Sequence, residues 1–277
     1  MNRKRLLKFA LAAPAVTAGL YLLSLRGRAN HPAWETLTRF RYAHRGLHDK
    51  TNGVPENSLA AFRRAAEHGF GAELDVHLTR DGRLAVIHDD SLLRTAVVDV
   101  KASDLTAEEL AQYRLEGTDE RIPFLEEVLS IFEGKAPLIV ELKVEDNAAE
   151  LARAACDLLD RWNVDYCIES FHPAAILWLR KNRPDVCRGQ LIEDFVSSKG
   201  TKLGFLADFA MTHLLTSFLT RPDFIAYDWH GRKEPSVRLS QKLWGVREVS
   251  WTVKDRETME ALEKDGAVSI FEGFIPD

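Results

Sequence analysis

The chain has 277 residues, 45% hydrophobic and 29% charged, which suits one α/β barrel of about 250 residues and leaves no room for two ordinary domains. Its net charge of -5 is unevenly spread: residues 1–30 hold Arg3, Lys4, Arg5, Lys8, Arg26 and Arg28 and no acid, and the rest carries 31 basic against 42 acidic residues. So acidic a body argues against nucleic acid as a partner, because that binding relies on Lys and Arg to neutralise phosphates. Cys156, Cys167 and Cys187 are too few and too scattered for a disulfide framework or a zinc site, and read as small buried hydrophobes.

In chain order, residues 1–30 read as a separate signal-anchor segment. Residues 9–25 contain no charge and are flanked by Lys8 and Arg26. As a helix they would span roughly 25 Å, slightly short of a bilayer core. An anchor is expected ahead of a cleaved signal peptide or a core helix, with residues 27–39 as a short tether. More basic groups precede the apolar run than follow it, which puts the N-terminus in the cytoplasm and the body outside. Residues 31–277 then alternate short apolar runs with helical stretches, the pattern of βαβ units. Strands are predicted at 40–43, 72–78, 138–142, 166–169, 188–191, 224–227, 246–251 and 267–271. Helices are predicted at 57–68, 124–132, 147–161, 173–182, about 202–210, 236–242 and 255–264. Eight such strands suggest a TIM (β/α)8 barrel, with a doubly wound open sheet as the alternative. Residues 80–123 are too long for one connection and read as an insertion at the barrel mouth. The closing helix after the eighth strand is missing.

In such a barrel the functional side chains stand at the C-terminal ends of the strands. The first strand ends in His44, Arg45 and Gly46; the second contains Glu73 and Asp75; the third ends in Glu141 and Lys143; and an extended run ends in His88. Glu73 and Asp75 are two apart, so both face the barrel interior while Leu74 and Val76 face the helices. Two like charges there call for a hard cation, and oxygen-only donors favour Mg2+ or Ca2+. Glu141 is the natural third ligand. Alternatively these acids form an ion network with Arg45 and Lys143. Those two cations suit a phosphate, one as a planar fork and one as a point charge. His44 and His88 provide the two titratable groups that phosphodiester cleavage needs. His77 shares the inward parity and borders the mouth, and His48 lies in a loop near His44.

Four motifs occur in order: H-R-G at 44–46, P-E-N-S-x-x-A-F at 55–62, E-x-D-V-x-x-T-x-D-G at 73–82 and H-D-x-x-L-x-R-T at 88–95. With VELK at 140–143, SFHP at 170–173 and WTVK at 251–254, the chain resembles the glycerophosphodiester phosphodiesterase family over most of residues 40–255. The resemblance implies a TIM barrel, one divalent cation and hydrolysis of a glycerophosphodiester to glycerol 3-phosphate and an alcohol. It implies Glu73, Asp75 and Glu141 as metal ligands and His44 and His88 as the catalytic pair. Arg45 and Lys143 become phosphate contacts, and Trp251 a substrate-side aromatic. Glu56 is a family site residue with no role assigned, and Asn57 beside it is equally explained as a helix cap. The eighth strand departs from the family's T-D-x-P: here it runs IFEGFIPD, and Glu272 only approximates the missing Asp. A lysophospholipase D or sphingomyelinase D-like activity, or a membrane-bound binding protein without turnover, are the competing functions. The partners expected are a small or lipid-derived phosphodiester and the membrane.

Overall fold

A computed structural model describes residues 16–196 and 204–277. Among the described residues nine strands form one sheet: β1 Tyr42–Ala43, β2 Gly71–Leu78, β3 Leu84–Val86, β4 Leu138–Leu142, β5 Tyr166–Ser170, β6 Arg188–Ile192, β7 Phe224–Asp228, β8 Arg247–Val253 and β9 Val268–Phe271. Eight of them run parallel, and β1 pairs with both β2 and β9, so the sheet closes into a barrel. The open doubly wound alternative is thereby excluded. β3 lies outside the ring as an antiparallel partner of the end of β2.

The helices are α1 (16–24), α2 Trp34–Leu37, α3 Leu59–Glu67, α4 Leu93–Ala96, α5 Ala107–Leu110, α6 Leu125–Phe132, α7 Ala148–Leu159, α8 Pro173–Asn182, α9 Phe205–Thr212, α10 Ser217–Thr220, α11 Pro235–Trp244 and α12 Arg256–Lys264. Local chemistry sets their ends. Ser58 caps α3 by accepting from the Ala61 N–H, and Gly69, at φ +73°, follows its last turn. Of the pair Asn57-Ser58 that offers capping chemistry, Ser58 is the cap; Asn57 sits one residue earlier at φ 53°, and its side chain goes to the site instead. No helix follows β9.

Strand alternation divides the core in two. Leu74, Val76, Leu138, Val140 and Ile168 point outward and pack with Phe62, Leu129 and Leu179 of the helices. Ile139, Cys167, Cys187, Phe224 and Val249 form an apolar cluster with Tyr42. Trp34 and Leu37 of α2 join that cluster and close the N-terminal end of the barrel. The cysteines are buried and unpaired. Residues 80–123 supply β3, α4, α5 and a small core of their own around Ile87, Leu92, Leu110 and Phe124.

The N-terminal region needs a correction. No described helix is long and apolar enough to cross a membrane, and residues 1–15 of the expected anchor lie outside the described residues. Leu25, the last residue of the apolar run, is 0% exposed and packs with Met211, Leu214, Val237 and Val246. Trp244 donates from Nε1 to the Leu22 carbonyl (2.9 Å), and Arg28 forms an ion pair with Asp223 just before β7. Residues 25–39 are thus fastened to the barrel rather than hanging as a tether. Burying Leu25 and desolvating its backbone against Ser240, whose hydroxyl donates to the Leu25 carbonyl, favours docking over free swinging.

Candidate active site

At the C-terminal end of the strands lies a cavity of about 360 Å3, lined by His44, Arg45, Glu73, His88, Glu141, Lys143 and Trp251 among others. Asp75, 0% exposed, lies beneath it. The predicted residues therefore converge, and the register explains why: Asp75 on β2 stands level with Glu141 on β4. One carboxylate oxygen from each of Glu73, Asp75 and Glu141 lies within 4.8 Å of the others.

The turn after β1 brings its backbone against these acids. Arg45 and Gly46 both have positive φ, 54° and 77°, and a Cβ at Gly46 would lie 2.9 Å from the Ala61 backbone. The turn aims the Arg45 N–H at Glu73 Oε2 (3.1 Å). Asp75 receives Asn57 Nδ2 at 2.9 Å, Lys143 Nζ at 3.1 Å and Arg45 Nε at 3.5 Å. Lys143 Nζ also meets Glu141 Oε1 at 2.7 Å. Part of the alternative ion network is thus present, but it does not neutralise the acids. Burial and the repulsion of their neighbours push Glu73 and Glu141 upward, Glu141 to about 7. Asp75 is pushed down despite its burial, because Lys143, His88, Arg45 and Asn57 together outweigh it. Three clustered hard oxygen donors with uncompensated charge fit a Mg2+ or Ca2+ ion. A second grouping, His77, Asp90 and Glu145, also lies within ligand spacing. There Lys101 Nζ already sits 3.0 Å from Glu145, and His77 Nδ1 lies 3.2 Å from it.

Each site histidine leans on a carboxylate. His44 Nδ1 lies 2.6 Å from Glu272 Oε2, and His88 Nδ1 lies 2.6 Å from Asp89 Oδ1. A carboxylate accepts, so each Nδ1 carries the proton and each Nε2 is the free nitrogen. Glu272 is held down to about 2, chiefly by its bond to His44. Burial pushes His88 down to about 4, with Lys143 and Arg45 reinforcing it. Glu56 now has a place: it accepts from Arg45 Nη1 (2.8 Å) and from Arg94 Nη2 (2.7 Å), and Arg94 Nε reaches Asp89 (2.5 Å). Arg94 therefore ties the support of Arg45 to that of His88. His77 does not border the mouth: it is 0% exposed, and its Nε2 lies 3.2 Å from the His88 carbonyl.

The opposite wall is apolar. Trp251 stacks edge-on against Phe171 (6.1 Å), and Phe171 against Phe195 (5.9 Å). The sequence reading gave no role to the supporting Asp89 and Arg94, nor to Glu169, Phe171, Leu191, Glu193, Phe195, Thr252 and Ile270 of the lining. Asp89 and Arg94 lie inside the H-D-x-x-L-x-R-T motif, which was the available signal. Glu169 has the inward parity of Cys167, two residues earlier on β5.

Comparison with known proteins agrees with this geometry. Residues 44–275 match the model of the glycerophosphoryl diester phosphodiesterase family. The chain is 29% identical over 240 residues to a glycerophosphodiester phosphodiesterase of Caldanaerobacter subterraneus, covering 82% of this chain and 91% of that one. It is 36% identical to a human lysophospholipase D over 124 residues, 40% of this chain and 38% of that one. Among solved structures, an Oleispira antarctica phosphodiesterase bound to sn-glycerol-3-phosphate shares the fold, with TM-score 0.67, 23% identity, and 84% and 92% coverage. A Thermotoga maritima glycerophosphodiester phosphodiesterase superposes with TM-score 0.63 at 26% identity, covering 84% of this chain and 94% of that one. With its family model matched across nearly the whole barrel, the chain belongs to the glycerophosphoryl diester phosphodiesterase family.

Proposed function

We propose that this protein hydrolyses glycerophosphodiesters to glycerol 3-phosphate and an alcohol, with one divalent cation, Mg2+ or Ca2+, held by Glu73, Asp75 and Glu141. The observation that carries the reading is the pairing of that acid cluster with two carboxylate-supported histidines around one cavity. When bound, the cation supplies Lewis-acid polarisation of a phosphoryl oxygen. Arg45 and Lys143 line the same cavity and neutralise the phosphate as its charge grows. His88, neutral at pH 7, takes the proton of the attacking oxygen at Nε2, and Asp89 holds its Nδ1–H. His44, doubly protonated with its Nδ1–H held by Glu272, gives the Nε2 proton to the leaving oxygen and returns to the Nδ1–H form. Glu56 positions Arg45, and the Trp251–Phe171–Phe195 wall receives the less polar part of the substrate. The test is product analysis by phosphorus NMR with glycerophosphocholine and lysophosphatidylcholine offered in parallel. Glycerol 3-phosphate from the first supports the reading. Cleavage of the second alone transfers the protein to the lysophospholipase D class.

The N-terminal segment extends this proposal to location. Its charge bias supports attachment to a membrane by residues before Leu25, with the barrel on the extracytoplasmic side. The exposed Val16, Leu20 and Leu23 of α1 suit lipid contact. Protease added to intact cells then degrades the barrel; a barrel protected until lysis reverses the orientation.

A further inference from the structure

Glu169 is the anomaly of the site. It is 1% exposed, and among the described residues no hydrogen bond or ion pair reaches it. Its Oε2 is fully enclosed with no partner, yet the residue lines the catalytic cavity. The register shows where it stands: Asp75 pairs with Glu141 across β2 and β4, and Glu141 pairs with Glu169 across β4 and β5. Asp75, Glu141 and Glu169 therefore occupy one row on adjacent strands, whose backbones lie about 4.8 Å apart, and face the same side, with Glu169 one strand beyond the Glu73–Asp75–Glu141 cluster.

Two explanations of a buried, partnerless carboxyl compete. A protonated acid carries an O–H donor that needs an acceptor, and no protein acceptor lies within hydrogen-bonding reach of the enclosed Oε2. An ionised one needs positive charge. Four buried carboxylates, Glu73, Asp75, Glu141 and Glu169, face two half-buried cations, Arg45 and Lys143, both lining the cavity, and Arg45 is shared with Glu56. The shortfall is two positive charges, the charge of one divalent ion.

We propose that Glu169 is a fourth carboxylate donor to the bound cation, and that four carboxylates make this a calcium site rather than a magnesium site. The inference rests on the reading of Glu73, Asp75 and Glu141 as cation ligands. Ca2+ accepts six to eight oxygens in loose geometry, whereas Mg2+ demands a tight octahedron and usually keeps several waters beside one or two carboxylates. A fourth carboxylate thus adds more to Ca2+ binding than to Mg2+ binding.

The test uses the full chain in mild detergent, stripped with chelator and titrated calorimetrically with Ca2+ and, separately, Mg2+. The melting temperature is read before metal is added. Glu169→Gln keeps the shape and removes the charge. The expected result is a higher metal-free melting temperature, at least tenfold weaker Ca2+ binding and a smaller loss for Mg2+. Ca2+ affinity within threefold of wild type overturns the proposal, whatever the melting temperature does, and makes Glu169 a buried neutral acid. Equal losses for the two ions overturn the calcium assignment. If the Gln variant does not fold, Glu169→Asp replaces it, with Ca2+ binding expected to weaken because the shorter carboxylate falls back from the row; unchanged affinity again overturns the idea. Wild type that binds neither ion at millimolar concentration instead removes the three-ligand reading beneath it.

Discussion

Glu272→Gln probes the support of His44, the proposed acid, while leaving the acid cluster of Glu73, Asp75 and Glu141 untouched. Glu272 Oε2 sits 2.6 Å from His44 Nδ1, with its side chain 26% exposed. Its carboxyl is lowered from 4.5 to about 2, first by that hydrogen bond. That lowering is worth about 3 kcal/mol, reduced to about 1–2 kcal/mol by solvent at this depth. The sign follows from linkage. A carboxylate with a depressed folded-state pKa stabilises the fold above its unfolded value, near 4.5, and loses that contribution as pH falls through about 2. The variant should therefore melt about 3–6 °C lower at pH 7, with the difference fading below about pH 4. Gln removes the negative charge and can offer its N–H2 to Nδ1, which disfavours the doubly protonated His44 needed as the acid, so kcat should fall about 100-fold with KM little changed. Differential scanning calorimetry across pH and steady-state kinetics supply the two readouts. A lower melting temperature with kcat within threefold of wild type would show that Glu272 merely braces the barrel seam and does not orient His44.

His44→Ala and His88→Ala should each lower kcat by ~10²–10⁴ with the fold retained, checked by circular dichroism, whereas His48→Ala should cost far less. Glu56→Gln leaves Arg45 with one partner fewer and should raise KM about tenfold, measured on glycerophosphocholine. Exhaustive chelation should abolish activity and lower the melting temperature; restoring metal at a hundredfold excess over its Kd returns about 2.7 kcal/mol. Leu25→Ala should destabilise the barrel by about 2–4 kcal/mol in urea titrations, since Leu25 fills a closed cluster; a neutral result would restore the N-terminal segment to a detachable one.

Sequence periodicity located every barrel strand within two residues, because each is a short apolar run bounded by turn chemistry. Inward parity alone placed Glu73 and Asp75 together. What it could not supply was contact between distant stretches. Glu272 meets His44 across 228 residues, and Arg94 links Glu56 to Asp89 through the insertion. Asn57 looked like a cap because its chemistry suits one, but a neighbouring Ser58 took that role and left Asn57 for Asp75. His77 has the same parity as the ligands but lies one step further along β2, where β3 and the following loop cover it. The tether was misread for a related reason: hydropathy along 9–25 cannot show where the segment meets the barrel, and Leu25 packs against its flank.

The most direct test of the central claim is the release of glycerol 3-phosphate from glycerophosphocholine by the purified full chain, followed by a coupled dehydrogenase assay as Ca2+ or Mg2+ is added back to chelated protein. The account predicts no release without metal, saturable release with it, and loss of that release in Glu73→Gln. Undiminished release from the chelated protein, or from folded Glu73→Gln, would contradict it.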